Sequence, residues 1–293
     1  MSDEKIWSFG YGSNMDVHAL ETTKRVKVLD HIAAILTGWR LAFNLSGLLL
    51  VEPAFANVIP SESTDEVHGV AFCISKESMA NMDRIETGYN KAKITLKAYD
   101  GRTLSGFVYV NKPSATTSDE RNPSKRYMDI LIKGAKLAGL KPSYIDKLRT
   151  IETYAPSSEI LQTRSSLPEP DDLPQITVEE LAKYNGTDSN FPSRIAVLGY
   201  ILQPKSVYVQ SHRGRETSAH ILMLFHGVLA LGENVGEGLP PYPIVDKLSQ
   251  EEKEYVYRWL DHYLSSSKTP LGYLSEFREQ QKSGVSSWSL PRN

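Results

Sequence analysis

The chain has 293 residues, 40% of them hydrophobic and 23% charged, with a formal net charge of −2 and a sequence pI near 6.4. That length exceeds one typical domain and points to two. The near-neutral charge balance gives no electrostatic case for nucleic acid or an anionic membrane surface. A single cysteine, Cys73, excludes an intramolecular disulfide. No apolar stretch approaches the roughly 20 residues of a membrane span, and the charged opening Met1-Ser2-Asp3-Glu4-Lys5 lacks the apolar core of a signal peptide. The expectation is a cytoplasmic protein without nucleic-acid or membrane partners, its oligomeric state left open.

Residues 5–9 alternate apolar and polar side chains, as a half-buried strand does. Directly after them stands Phe9-Gly10-Tyr11-Gly12-Ser13-Asn14-Met15. Two glycines let the backbone come close to a ligand, and Gly12, Ser13 and Asn14 add amide N–H groups, a hydroxyl and a side-chain amide. Such a loop suits a polar small molecule, such as a carboxylate held by successive amides. It is equally compatible with a plain turn that ends a strand.

Residues 66–74, 91–99 and 103–111 are rich in β-branched and aromatic side chains, and Asp100-Gly101 marks a hairpin between the last two. Cys73 falls inside the first of these, where a buried, inert thiol is expected. Ser75 is positioned to cap a short helix that carries Met79 and Met82 toward Ile85. Tyr127, Ile130, Leu131, Gly134, Ala135 and Ala138 recur at helical spacing, and Gly139 supplies the stop. Small Gly134 and Ala135 predict close packing of that helix on a sheet. Pro142-Ser143 opens another helix, with Tyr144, Leu148 and Ile151 inward. The first half therefore reads as α+β, a small mixed β-barrel or strongly curved sheet flanked by helices.

From 155 to 174, Pro, Ser and acidic residues dominate and periodicity fades, the texture of a linker or docked arm. Order returns with the capping box Thr177/Glu180, a helix ended by Gly186, and a strand over 194–202. A second box, Ser249/Glu252, opens a helix with Val256, Trp259, Leu260, Tyr263 and Leu264 on one face, and a final amphipathic helix follows. The reading is a catalytic or binding domain over 1–155, a linker or arm over 156–173, a smaller α+β module over 174–275 and a tail over 276–293.

Three separated motifs form an ordered set: the 9–15 loop, Asp83-Arg84-Ile85-Glu86-Thr87-Gly88, and the helix from Arg126 to Leu140 with Lys147-Leu148-Arg149-Thr150-Ile151-Glu152 beyond it. Together they resemble the gamma-glutamylcyclotransferase family over roughly residues 5–155. The Asn after Gly12-Ser13 favours this branch over relatives that cleave glutathione directly, and the two-domain layout suggests the members of fungal gliotoxin-type biosynthesis. The resemblance implies a cofactor-free, metal-free reaction, of acyltransferase or lyase type. The α-amine of a γ-glutamyl group attacks its own γ-carbonyl and releases 5-oxoproline and an amine, a peptide or a glutathione-derived adduct. It implies Glu86 as the acid and base, and Gly10, Tyr11, Gly12, Ser13 and Asn14 as the glutamyl pocket. A carboxyl raised by burial from about 4.3 shuttles protons better near neutrality. Tyr127 is either a substrate contact or a core aromatic, and Asp83 reads as a cap or a surface charge.

Residues 174–275 resemble, more weakly, the cytochrome-b5-like fold of the membrane-associated progesterone receptor family. The stretch 203–213 replaces that family's longer loop with its haem-ligating tyrosine, so haem is not expected. His212, His220 and His226 lack the companions of a metal site. Tyr208, His212, Arg213 and Arg215 are the candidate contacts for the leaving group. Two other readings stand beside the enzyme: a protein that binds haem or another hydrophobic ligand, and a catalytically silent scaffold.

Overall fold

The computed structural model describes residues 5–86, 89–112, 119–184, 186, 188–203, 248–267, 269–284 and 290. It divides into two compact units, Met1–Ala155 and Pro156–Asn293.

The first unit is built on a closed barrel of five strands among the described residues, in the order β1-β5-β2-β6-β7. These are β1 (Lys5–Gly10), β2 (Val28–Thr37), β5 (Glu66–Ser75), β6 (Tyr89–Ala98) and β7 (Thr103–Asn111). β3 (Trp39–Ser46) and β4 (Ala54–Pro60) form a separate antiparallel pair. β1 lies between β5, antiparallel, and β7, parallel, with Trp7 opposite Gly106 and Phe9 opposite Val108. That parallel pairing closes the barrel.

The strand chemistry follows exposure. β6 alternates: Ile94, Leu96 and Ala98 are buried while Lys93, Thr95 and Lys97 point to water. β5 is buried from Val67 to Ile74, covered on both faces, so it reads as a continuous apolar run rather than an alternating one. Cys73 is buried in it as a free thiol, and burial pushes its pKa up. The β6–β7 hairpin turns at Gly101 (φ 92°), where the Asp100 carboxylate accepts from the Arg102 amide at 3.0 Å. Three buried asparagines tie the outer pair to the barrel. Asn57 donates to Asn44 at 3.0 Å and accepts from the backbone N–H of Asn111 at 3.0 Å, while the Asn111 side chain donates to Asn44 at 3.3 Å.

Four helices complete this unit among the described residues. α1 (Val17–Lys24) is capped by Asp16, which accepts from the Ala19 amide at 3.0 Å, and ends at Arg25 in the left-handed region. α2 (Lys76–Ile85) is capped by Ser75 and buries Met79 and Met82. α3 (Lys125–Leu137) stops before Gly139 (φ 65°), and α4 (Pro142–Arg149) buries Tyr144, Ile145 and Leu148. Ile151 lies beyond the end of α4. Gly134 of α3 meets the turn after β1 rather than a strand: a Cβ there would sit 3.1 Å from that of Met15.

Gly69 of β5 decides how closely β1 can approach. A Cβ at this position would lie 2.2 Å from the Gly10 carbonyl oxygen and 2.8 Å from the Phe9 ring. Gly69→Ala must therefore push β1 and the loop that follows it aside, and the expected cost is about 1–3 kcal/mol. Thermal unfolding should show a lower midpoint; a midpoint equal to that of the unchanged protein would contradict the packing argument.

The second unit holds a four-stranded sheet among the described residues, ordered β8 (Gln175–Ile176), β11 (Gly272–Leu274), β10 (Tyr200–Leu202), β9 (Ile195–Val197). The run 194–202, expected as one strand, is a hairpin. Leu198 (φ 53°) and Gly199 (φ 84°) both take left-handed conformations and reverse the chain, which pairs Tyr200 with Val197. The residues expected as a linker carry α5 (Ser158–Ser165), whose Arg164 is buried. Thr177 caps α6 (Val178–Ala182) by accepting from the Glu180 amide. The box at Ser249 and Glu252 is complete in both directions and opens α7 (Gln250–Ser267), which buries Val256, Trp259, Leu260, Tyr263 and Leu264. α8 (Ser275–Lys282) follows β11.

Candidate active site

The pocket of the first unit lies at the end of β1. It encloses about 430 Å³ of space, its solvent-open mouth included, and is lined by the whole loop from Phe9 to Asn14 with Lys24, Ala56, Glu86, Tyr89, Tyr109 and Tyr127. After Gly10 the chain turns through a short 3-10 segment, Ser13–Met15, in which the Met15 amide donates to the Gly12 carbonyl at 3.0 Å. A Cβ on Gly10 would meet the Asn14 carbonyl oxygen at 2.8 Å, so a glycine lets the turn fold back over the strand end. The sequence-predicted loop residues Gly10, Tyr11, Gly12, Ser13 and Asn14 thus all face one pocket, together with Glu86 and Tyr127.

Glu86 is the residue just past α2, and its own amide donates to the Met82 carbonyl at 2.8 Å. Its side chain is 10% exposed. It is partly buried and is paired with a cation to which the sequence gives no pointer. Lys24 Nζ lies 2.5 Å from Glu86 Oε1, and Asn14 Nδ2 donates to the same oxygen at 3.4 Å. A carboxylate at the C-terminal end of a helix faces the negative end of the dipole. Lys24, itself the last residue of α1, offsets that cost.

The tyrosines are positioned by elements well apart in sequence. Tyr11 OH donates to the Tyr109 carbonyl at 2.7 Å. Tyr109 OH donates to Asp83 Oδ1 at 2.6 Å, and Lys91 donates to Asp83 Oδ2 at 2.7 Å. Burial works against the Asp83 charge, but these two hydrogen bonds hold its carboxyl below the usual range. Asp83 is an exposed charge, as expected, and it also holds the hydroxyl of a pocket tyrosine. Tyr127 enters from the first turn of α3: its amide donates to the capping hydroxyl of Ser124 at 2.9 Å, and Ser124 and Arg126 both donate to buried Glu52. Tyr127 OH accepts from the Ala56 amide at 3.2 Å, and its ring meets Phe55 edge-on at 5.1 Å. It is a buried aromatic and a pocket wall at once.

Burial raises the pKa of all four pocket phenols, and the nearby Glu86 carboxylate adds to the rise. Tyr89 is pushed up to about 12. None ionises in the neutral range, so they serve as hydrogen-bonding walls and not as bases. Among the described residues, Glu86 is the one carboxylate on the pocket wall. Lys24, Tyr89 and Tyr109 were missed by the sequence reading; a tyrosine three residues after Glu86 was the one local signal available.

Residues 66–148 match the family model described as the AIG2-like family. The matched segment runs from β5 through α4 and contains Glu86 and Tyr127. The chain is also similar to the gamma-glutamyl cyclotransferase aclK of Aspergillus oryzae, 27% identical over 169 residues, which cover 50% of this chain and 61% of the relative. A second relative, the gamma-glutamyl cyclotransferase gliK of Claviceps purpurea, is 27% identical over 144 residues, 46% of this chain and 65% of its own. The chain thus spans less than two thirds of the length of these curated relatives. A solved structure titled gamma-glutamyl cyclotransferase aligns with a TM-score of 0.45 at 24% identity, over 54% of this chain and 97% of that one.

The family match lies wholly inside the first unit. Tyr208, His212, Arg213 and Arg215, as well as His220 and His226, fall outside the described residues. Among the described residues, no group of three or more His, Cys, Asp or Glu side chains is placed to hold a metal ion, and no helix is long and apolar enough to cross a membrane.

Proposed function

We propose that the first unit is a γ-glutamyl cyclotransferase that releases 5-oxoproline from a small γ-glutamyl amine, peptide or glutathione-derived adduct. The observation that carries this reading is the partly buried Glu86 carboxylate facing the 10–14 loop across one small pocket. The names of the two fungal relatives support the class, and leave the leaving group open.

The reaction needs little beyond positioning and proton movement. A γ-glutamyl head bound in the pocket presents its α-ammonium, with a pKa near roughly 8, to Glu86. Glu86 takes a proton, and the freed amine attacks the γ-carbonyl carbon of the same molecule. A C–N bond forms and closes a five-membered ring. The carbonyl oxygen gains negative charge, which amide N–H groups of the Gly12–Asn14 turn are suited to receive. As the old γ-carbon–nitrogen bond breaks, Glu86 returns its proton to the departing nitrogen, and the carboxylate so regenerated takes the extra proton of the ring nitrogen and passes it to the released amine or to water. Nucleophile and electrophile belong to one molecule, so holding the chain folded supplies a large share of the rate. The phenols of Tyr89, Tyr109 and Tyr127 wall the pocket without competing for protons.

The test is a panel of γ-glutamyl dipeptides, glutathione and glutathione S-conjugates assayed for 5-oxoproline. Release from at least one of them is expected, and none from the matching α-glutamyl dipeptides, whose carbonyl lies at the wrong distance for five-ring closure. A protein that forms 5-oxoproline from no member of the panel would overturn the proposal.

A further inference from the structure

Two of the residues that line the pocket carry formal charge, Lys24 and Glu86, and they are paired with each other at 2.5 Å. A carboxylate oxygen occupied by a lysine ammonium is poorly placed to receive a second ammonium. Lys24 and Asn14 both engage Oε1, so a ligand ammonium that takes this oxygen has to displace Lys24. The paired side chains are unequal in this respect. Glu86 is fixed beside the end of α2, 10% exposed, and also receives Asn14 at 3.4 Å. Lys24 is 24% exposed, ends α1, and reaches the pocket on a flexible four-carbon stem.

We propose that Lys24 is the carboxylate-recognising arm of this pocket, which exchanges Glu86 for the α-carboxylate of the ligand. This rests on the cyclotransferase reading and deepens it. The α-carbon of a γ-glutamyl head bears an ammonium and a carboxylate side by side, the same two charges that the pocket itself holds together. On binding, the ligand's ammonium takes the place of Lys24 on Glu86, and its carboxylate takes the place of Glu86 on Lys24. One ion pair is replaced by two, and no charge is left in the pocket without a counter-charge, the condition under which buried charges are tolerated. The exchange also couples recognition to chemistry, because a carboxylate that draws Lys24 away frees Glu86 Oε1 for the α-nitrogen. The pocket thereby selects γ-glutamyl compounds with a free α-carboxylate and excludes those whose α-carboxyl is amidated.

The experiment compares L-γ-glutamyl-ethylamide with its α-carboxamide on the full-length protein, Lys24→Met and Lys24→Arg. The unchanged protein should prefer the carboxylate by at least about tenfold in kcat/KM, the scale of one hydrogen bond to a charged group. Lys24→Met should lose that preference from both sides, through a raised KM on the ethylamide and a gain on the α-carboxamide, for which Glu86 no longer has to part from Lys24. Lys24→Arg should keep most of the preference. Retained preference in Lys24→Met, or an equal loss on both compounds, overturns the proposal. Calorimetric binding of both compounds to Glu86→Gln and to Glu86→Gln/Lys24→Met separates the two readings. A Lys24-dependent preference in binding, with no 5-oxoproline formed by the unchanged protein, keeps the recognition role and removes the cyclisation. Absence of both binding and turnover removes both.

Discussion

Glu86→Gln is expected to lower turnover by about two to four orders of magnitude, the range removed with a general acid–base group. Glutamine keeps the length and shape of the side chain and can still receive Asn14, so the pocket wall is preserved. What it lacks is an oxygen basic enough to take the ammonium proton. The residue sits just past the end of α2, and its backbone bond to Met82 does not depend on the side chain. Folding should therefore be unaffected, and binding of a γ-glutamyl compound should stay within a few-fold. Glu86→Asp is the informative companion. It keeps the base but draws it back by one methylene, and should recover part of the rate through imperfect geometry. The measurement is single-turnover release of 5-oxoproline together with calorimetric affinity. Turnover by Glu86→Gln within tenfold of the unchanged protein would remove Glu86 from the chemistry.

The parts of the architecture that were legible in the sequence are those whose physics is local. Ser75, Asp100-Gly101, Gly139, Pro142 and the Ser249/Glu252 box each act within a turn of themselves, and each does in space what its side chain predicts. The closed barrel was legible only in outline, because its closure is non-local: β1 pairs with β5 and β7, which lie 60 residues and more along the chain. The hairpin at Leu198 was hidden by its own composition, since a leucine at φ 53° gives no sign of a left-handed turn. The same divide runs through the candidate site. Gly10, Gly12 and Asn14 share one loop and one motif, so they could be grouped at once. Lys24 reaches Glu86 from 62 residues away, and Tyr109 arrives on the far strand of a hairpin. Nothing in a single sequence ties them together, and yet Lys24 is the cation paired with Glu86.

The second unit carries the other large effect. Asp261→Ala is expected to destabilise it by about 3–5 kcal/mol, the cost of removing one partner of a buried ion pair. Arg164 and Asp261 meet in a two-pronged arrangement, Nε to Oδ1 at 2.9 Å and Nη2 to Oδ2 at 2.5 Å, with side chains 8% and 3% exposed. Burial raises the Asp261 carboxyl by opposing its charge, and the Arg164 guanidinium works against that rise. The guanidinium also lies over the Tyr257 ring, 4.9 Å from its centre. Truncating Asp261 leaves a cation in that interior with a ring face but no counter-charge, and opens a cavity beside α7. The partner comes from α5, so the same change should loosen the helix that the composition of 156–173 disguises as a linker. Urea unfolding of the full chain, followed by indole fluorescence and far-ultraviolet circular dichroism, reads the loss. A control isolates the cause: Arg164→Met/Asp261→Leu replaces both charges with apolar side chains of similar size, and should recover most of the stability. If Asp261→Ala costs less than about 1 kcal/mol, the value of an exposed pair, water reaches the guanidinium and the pair does not anchor α5. If the double variant is as unstable as Asp261→Ala, the lost packing around α7, and not the stranded charge, governs the unit.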